Sequence, residues 1–209
     1  MKQKAIQLGG VTLLILFILS ISIALTINVT ILYRVDISLL AIDQQSGLSK
    51  AVLMDNYHQL LNYLNLPWIR SLEMPDFPSS ANGLNHFFEV KRLFLVDYLV
   101  VLISGIGSLF FIRYLKKYQL GWTLIRPFQV LIVAPVVLGV VMMISFDQLF
   151  IVFHEVLFNN EDWMFNPSTD PIINVLPEAF FMHCFILAIL LMEIQFVIGY
   201  YWSKKQIRI

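Results

Sequence analysis

The sequence predicts an all-α, polytopic membrane protein, a four-helix transmembrane bundle with a helical and looped extracytoplasmic cap. Three observations predict it. Of the 209 residues, 58% are hydrophobic and 13% charged, with a mean hydropathy of +0.76, a balance outside the range of soluble globular domains. Four stretches, about 11–31, 93–113, 128–146 and 180–202, are apolar over the roughly 20 residues that a helix needs to cross a bilayer core. Finally, the basic and acidic residues segregate along the chain, which gives the spans a direction. Residues 1–209 are expected to form a single integral membrane domain with outer segments at about 34–92 and 147–177.

The first span follows Lys2 and Lys4, and Asn28-Val29-Thr30-Ile31-Leu32-Tyr33 offers no small-residue cleavage site, so it reads as a retained anchor. Span two carries Asp97 and span four carries Glu193. An acid inside a span costs roughly 2.5 kcal/mol or more on insertion scales and marks a polar interior site or an ion pair. For Asp97 the plainer expectation is a partner near the headgroups, either Arg92, Lys91 or a neighbour's backbone. Four crossings put both termini on one side. Lys2, Lys4, Arg113, Lys116, Lys117, Arg126, Lys204, Lys205 and Arg208 fall on that side or in the short loop between spans two and three, whereas every carboxylate lies in an outer segment or within a span. The positive-inside rule then makes the termini cytoplasmic and both polar segments extracytoplasmic. No basic surface exists for nucleic acid. The single cysteine, Cys184, excludes an internal disulfide and reads as a packed side chain.

In the first outer segment, Tyr33 to Gly47 is only weakly periodic and is expected to hug the membrane surface. Ser49 is placed to cap a helix running to Asn65, with Leu53, Tyr57, Leu60, Leu61 and Leu64 on one face and Asp55, His58, Asn62 and Asn65 on the other, an amphipathic interfacial pattern. Pro67 ends it. A proline-broken loop with aromatic anchors runs through Pro75-Asp76-Phe77-Pro78, and Ser79, Ser80, Asn82 and Gly83 supply turn and cap signals for the helix that leads into span two. Span three is expected to continue as helix past Phe146, because Asp147, Phe150, Phe153 and His154 keep helical spacing. Asn159-Asn160-Glu161-Asp162 and Asn166-Pro167-Ser168-Thr169-Asp170-Pro171 then make turns, and Pro177-Glu178 restarts a helix with an acid suited to its amino terminus.

The chemistry concentrates in the stretch from Phe153 to Glu178, which mixes carboxylates, amides and large aromatics as a membrane-interface pocket does. Histidine is the side chain whose ordinary pKa suits a general base at neutral pH. Of the four, His58 sits on a wet helix face and His183 one turn inside span four, where hydrogen-bonded packing is expected. His86 and His154 each stand at the outer mouth of a span with an acid on the same helix face, Glu89 for His86 and Asp147 for His154. These two are the expected catalytic residues. No activated serine is evident. A metal site built from His86, Glu89, His154 and His183 would need ligands from three segments with no recognisable spacing, so none is expected. A non-enzymatic alternative, a transporter subunit or a membrane chaperone, draws on the intramembrane acids Asp97 and Glu193.

Taken in order, Asn56-Tyr57 through Tyr63-Leu64, Gly83-Leu84-Asn85-His86-Phe87-Phe88-Glu89-Val90-Lys91, Phe153-His154-Glu155, Trp163-Met164-Phe165-Asn166-Pro167 and Leu176-Pro177-Glu178-Ala179-Phe180-Phe181 resemble the lipoprotein intramolecular transacylases, Lit, a family of four-span bacterial membrane proteins. The resemblance covers about Asn56 to Phe181. It implies a bacterial cell membrane and a lipoprotein substrate whose amino-terminal cysteine carries a diacylglyceryl group. It further implies transfer of the sn-2 acyl chain to the cysteine's α-amine, giving a lyso-form lipoprotein without a cofactor. Membrane lipids are the other expected partners. In that reading His154 and His86 are base and partner, in either order, and Glu89, Asn85, Asp147, Trp163, Asn166 and Glu178 are supporting or substrate-binding residues.

Overall fold

The computed structural model describes residues 2–206, the side chain of Met143 excepted. Arg208, counted above among the cytoplasmic cations, and Ile209 lie outside the described residues. The elements in order are α1 (Lys2–Asn28), α2 (Thr30–Leu39), α3 (Ile42–Ser46), α4 (Lys50–Asn65), α5 (Ala81–Lys117), α6 (Ile125–Ile144), α7 (Phe146–Leu157) and α8 (Glu178–Lys205), with short 3-10 turns at Gly121–Leu124 and Pro171–Asn174. No strand occurs among the described residues. Four helices are long and apolar enough to cross a membrane, namely Lys2–Asn28, Ala81–Lys117, Gly121–Met142 and Glu178–Lys205. The chain is therefore an all-α, multi-pass membrane protein. It divides into two compact units.

The first unit comprises the residues up to Thr26, Asp97–Ile144, and those from Ile186 onward. Its core joins Leu14 and Ile18 of α1, Phe111 and Leu115 of α5, Leu124, Phe128 of α6 and Phe196 of α8, all buried. The outward faces are as apolar as the core: Leu102, Ile103, Val130, Val133, Ile194 and Ile198 are all exposed. Exposure of that kind is costly in water at about 25 cal/mol per Å², whereas lipid solvates it. Gly10 lets α1 approach α5, since a Cβ there would stand 2.1 Å from the Phe111 ring. Polar side chains stitch the helices inside. Gln195 Nε2 donates to Ser22 Oγ at 2.8 Å, and Asp97 finds Ser20 through a side-chain hydrogen bond. The expected pairing of Asp97 with Arg92 or Lys91 is thus replaced by a hydroxyl of α1, which reaches the carboxyl without a second charge, while Asp97 Oδ2 is buried with no hydrogen-bond partner among the described residues.

The second unit comprises Ile27–Val96 and Ser145–Phe185. Ser49 caps α4 as expected, its side chain accepting from Val52 N, and Leu53, Tyr57, Leu60, Leu61 and Leu64 are buried. Met54, Asn56 and Tyr63 are buried too, so α4 is a core helix of this unit, its apolar face packed against protein. Its core neighbours are Tyr33 and Ile37 of α2, Ile42, Phe77, Phe87, Val175 and Phe180. Tyr33 donates to the Val175 carbonyl at 2.9 Å and packs against Tyr57 and Phe180. Asn56 pins the proline-broken loop, donating to Asp76 Oδ2 at 2.7 Å and accepting from Asp76 N at 3.2 Å. Lys91 is buried and satisfied by neutral groups. Its ammonium donates to the carbonyls of Leu66 and Ile69 and lies 4.3 Å from the centre of the Tyr63 ring.

Span three does not continue as one helix. The chain leaves helical geometry at Ser145 (φ −150°, ψ 57°) and restarts at Phe146. The restart lines up Phe146, Phe150 and His154 at four-residue intervals, with ring centroids 6.0 Å and 4.2 Å apart in succession. Periodicity alone does not register such a break, because the apolar pattern resumes immediately.

Candidate active site

The second unit brings His86 of α5 and His154 of α7 together, with ring centroids 5.8 Å apart and planes inclined by 36°. Each residue is 8% exposed. Aromatic rings enclose them. Phe158 and Phe165 stand edge-on to His86 at 4.8 Å and 5.5 Å, while Trp163 stacks on His154 at 4.8 Å and Phe150 lies 4.2 Å from it. The sequence led to the expectation of an interface pocket that mixes carboxylates and amides with aromatics. The immediate walls are instead aromatic, with the polar groups set behind them.

The tautomer of His154 follows from its partner. Nδ1 lies 2.7 Å from the Phe150 carbonyl, and a carbonyl only accepts, so Nδ1 carries the hydrogen and the neutral ring presents its lone pair at Nε2. Burial pushes this imidazole below its ordinary pKa, against the carbonyl bond that favours the charged form. The ring is therefore neutral at pH 7. His86 differs, because its buried Nδ1 has no hydrogen-bond partner among the described residues. A buried imidazole nitrogen without a partner costs free energy unless a ligand engages it.

Behind the rings, α5 holds the 159–163 loop by two struts one helical turn apart. Asn85 Nδ2 donates to Asp162 Oδ2 at 2.7 Å, and both oxygens of Glu89 accept from Asn160 Nδ2 at 3.0 and 3.1 Å. A third tie lies at the start of α5. Burial pushes the Asp170 carboxyl up, but hydrogen bonds from Thr169 and from the main chain and hydroxyl of Ser80 outweigh this and hold it below the usual carboxylate range. Asp170 Oδ1 accepts from Ser80 N at 2.7 Å, and Ser80 Oγ accepts from Gly83 N at 3.0 Å. A carboxylate at a helix amino terminus meets the orphan N–H groups and the positive end of the dipole.

The family model for the lipoprotein intramolecular transacylase Lit matches residues 8–181. The chain belongs to the Lit family. It is accordingly an acyltransferase of the membrane. Among solved structures, the membrane-integral Lit of Bacillus cereus is similar at 27% identity and a TM-score of 0.93, over 98% of this chain and 95% of that one. Two variants of the same Bacillus cereus protein, with a histidine replaced by arginine or by alanine, match at 26% identity and a TM-score of 0.85. The matches cover 98% of this chain and, respectively, 92% and 93% of theirs. No curated protein sequence matches the chain.

Within this Lit-family chain the other expected site residues take the following places. Glu89 turns its carboxylate to Asn160, so it orients the loop and not the imidazole of His86. Trp163 is the stacking partner of His154 and also donates Nε1–H to the Asn160 carbonyl at 3.1 Å. Asn166 is exposed and shapes a turn, its Oδ1 accepting from Ser168 N at 3.0 Å. Asp147 and Glu178, both exposed, hydrogen-bond to each other, carboxyl to carboxyl. Asp147 thus extends the His154 face without serving its ring. His58 is exposed. His183 takes Asp36 as its partner, Nδ1 lying 2.9 Å and 3.0 Å from the two oxygens of a carboxylate that is 1% exposed. Among the described residues no group of three or more His, Cys, Asp or Glu is arranged to hold a metal ion. Asn160 and Asp170, visible in the sequence only as parts of polar turns, are the fixing points of the site. The one local signal was the Ser80-to-Gly83 spacing of a capped helix.

Proposed function

We propose that the chain moves the sn-2 acyl chain of a diacylglyceryl-modified lipoprotein onto the α-amine of its amino-terminal cysteine, with His154 as general base and His86 as its partner. The observation that carries this reading is the pair of buried imidazoles 5.8 Å apart, one of which presents Nε2 as a lone pair. The α-amine, with a pKa near 7.7 to 8.0, is mostly protonated at neutral pH. Nε2 of His154 takes its proton, and the freed nitrogen attacks the ester carbonyl. The partnerless Nδ1 of His86 supports a hydrogen bond to the oxyanion of the tetrahedral intermediate. As the carbon–oxygen bond breaks, the imidazolium of His154 returns its proton to the glycerol oxygen, and the nitrogen sheds its second proton to solvent as the amide forms, so the acyl shift from the ammonium form releases one proton and needs no other reactant. Amine and ester belong to one molecule, which gives the attack intramolecular proximity. Replacement of a histidine in two of the solved Bacillus cereus relatives supports a histidine-centred site. Charge segregation along the chain supports cytoplasmic termini and an outer-face site in a bacterial cell membrane.

The test is expression in a strain whose lipoproteins are only diacylated, followed by tandem mass spectrometry of a lipoprotein amino-terminal peptide. The total mass is expected to stay constant while one acyl chain moves to the nitrogen-bearing fragments. His154→Ala and His86→Ala are each expected to lower the transfer at least about hundredfold, the usual scale of general acid–base catalysis, and His58→Ala to leave it intact. Unchanged fragments, or transfer that survives both of the first two substitutions, would refute the proposal.

A further inference from the structure

We infer that Asn160 is a positioning residue for this site. It couples the helix that carries His86 to the indole that stacks on His154. The inference rests on the catalytic reading of the two histidines for its consequence, but not for its geometry. Every polar group of Asn160 apart from its own N–H is engaged. Nδ2 donates to Glu89 Oε1 and Oε2 at 3.0 and 3.1 Å. Oδ1 accepts from Asp162 N at 3.1 Å. The main-chain carbonyl accepts from Trp163 Nε1 at 3.1 Å. The amide cannot be flipped, because the carboxylate of Glu89 only accepts and a main-chain N–H only donates.

Glu89 lies three residues after His86 on α5, hence on the same helix face. Trp163 lies 4.8 Å from His154 with planes inclined by 29°. Asn160 is therefore a bracket between the helix on one side and the indole on the other. The second strut, from Asn85 to Asp162, reaches the same loop two residues further on. The amide ties the loop that carries the indole to α5, and the indole covers one face of His154. Without it, the loop is left to the Asn85 strut, and the ring that must present Nε2 loses the wall against which it rests. Displacements of about 1 Å at a reacting group cost on the order of a hundredfold in rate.

The test exchanges donor and acceptor in the full-length, membrane-extracted protein. Trp68, Trp122 and Trp202 are replaced by Phe, leaving Trp163 as the reporter. A protonated imidazole in stacking contact quenches indole emission, so Trp163 reads the titration of His154 without substrate. In the parent, a quenching step is expected below the ordinary imidazole range. Asn160→Asp sets a carboxylate against Glu89 and breaks the bracket. It should lose the step and lower transacylation by about tenfold to a hundredfold. Adding Glu89→Gln places an amide donor on α5, facing the carboxylate that Asn160→Asp introduces, and the Asn160→Asp/Glu89→Gln pair should regain both signals. If Asn160→Asp alone fails to accumulate, the pair carries the test and must show both.

Three results overturn the inference: a single variant that keeps the step, a single variant that keeps activity within about twofold, or a pair that fails to restore a signal the parent shows. If the parent shows the step, and the swap abolishes and restores it, while no acyl chain reaches nitrogen in any protein, the bracket stands and the transacylase mechanism above fails.

Discussion

Gly83→Ala is expected to destabilise the protein in its native background and to stabilise it once Asp170 is removed. A Cβ built on Gly83 stands 2.2 Å from Asp170 Oδ1 and 3.1 Å from its Cγ, well inside contact distance, so the carboxylate must withdraw. Withdrawal breaks the 2.7 Å bond from Ser80 N, and a hydrogen bond to a charged acceptor contributes about 1.5–3 kcal/mol. Alanine in a helix returns up to about 1 kcal/mol relative to glycine. The net loss is about 1 kcal/mol, or roughly 3 °C in the midpoint of a chain of this size. In an Asp170→Ala background the obstruction is gone and only the helix gain remains, so the same substitution should raise the midpoint. Thermal denaturation in detergent of the four proteins, parent, two singles and double, measures the coupling directly. Effects of the two substitutions that simply add would refute the argument, because independence means that the methyl and the carboxylate do not meet. Since His86 lies three residues beyond Gly83, the single variant should also lose transacylation.

Two further expectations concern protonation and the buried hydrogen bond between His183 and Asp36. Because burial lowers the pKa of His154, its base form persists into mild acid, and the acid limb that it would set in kcat/KM should fall below the ordinary value near 6.5. The same shift governs stability. Between the unfolded and folded pKa values the unfolded chain binds a proton that the folded one does not, so stability declines as pH falls through that window. His154→Gln should flatten this slope, and equal slopes in midpoint against pH would contradict the assignment. Asp36→Ala leaves His183 Nδ1 without its buried partner and should cost about 1.5–3 kcal/mol, the contribution of a hydrogen bond to a charged group. Asp36→Asn, which still accepts from Nδ1, should lose less, and the comparison of thermal midpoints checks both.

The membrane class and the two histidines were legible because they depend on properties that a sequence carries locally: apolar length, charge sign, and a titratable residue at the mouth of a span. Ser49 as the cap of α4 was legible for the same reason. What escaped depends on distance in space between residues far apart in the chain. Asp36 meets His183 across 147 positions, and Ser80 meets Asp170 across 90. Neither pairing leaves a periodic trace. The partner of Glu89 escaped for a related cause. Helical spacing shows that it shares a face with His86, but not that an amide from another segment competes for its oxygens. The break at Ser145 escaped because one non-helical residue between two apolar helices does not disturb their pattern.

The rings that surround the paired imidazoles leave each of them 8% exposed, and this has a bearing on what becomes of the fatty acid under the proposed mechanism. An ester carbonyl activated in the open would be cleaved by solvent, releasing a free carboxylate and stripping the lipoprotein of half its anchor. Under that mechanism Phe150, Phe158, Trp163 and Phe165, which pack around the two imidazoles, would keep solvent from that carbon and leave the attack to the nucleophile tethered to the same molecule. A product formed in that way would keep both hydrocarbon tails and hence its hold on the bilayer, while its headgroup chemistry changes.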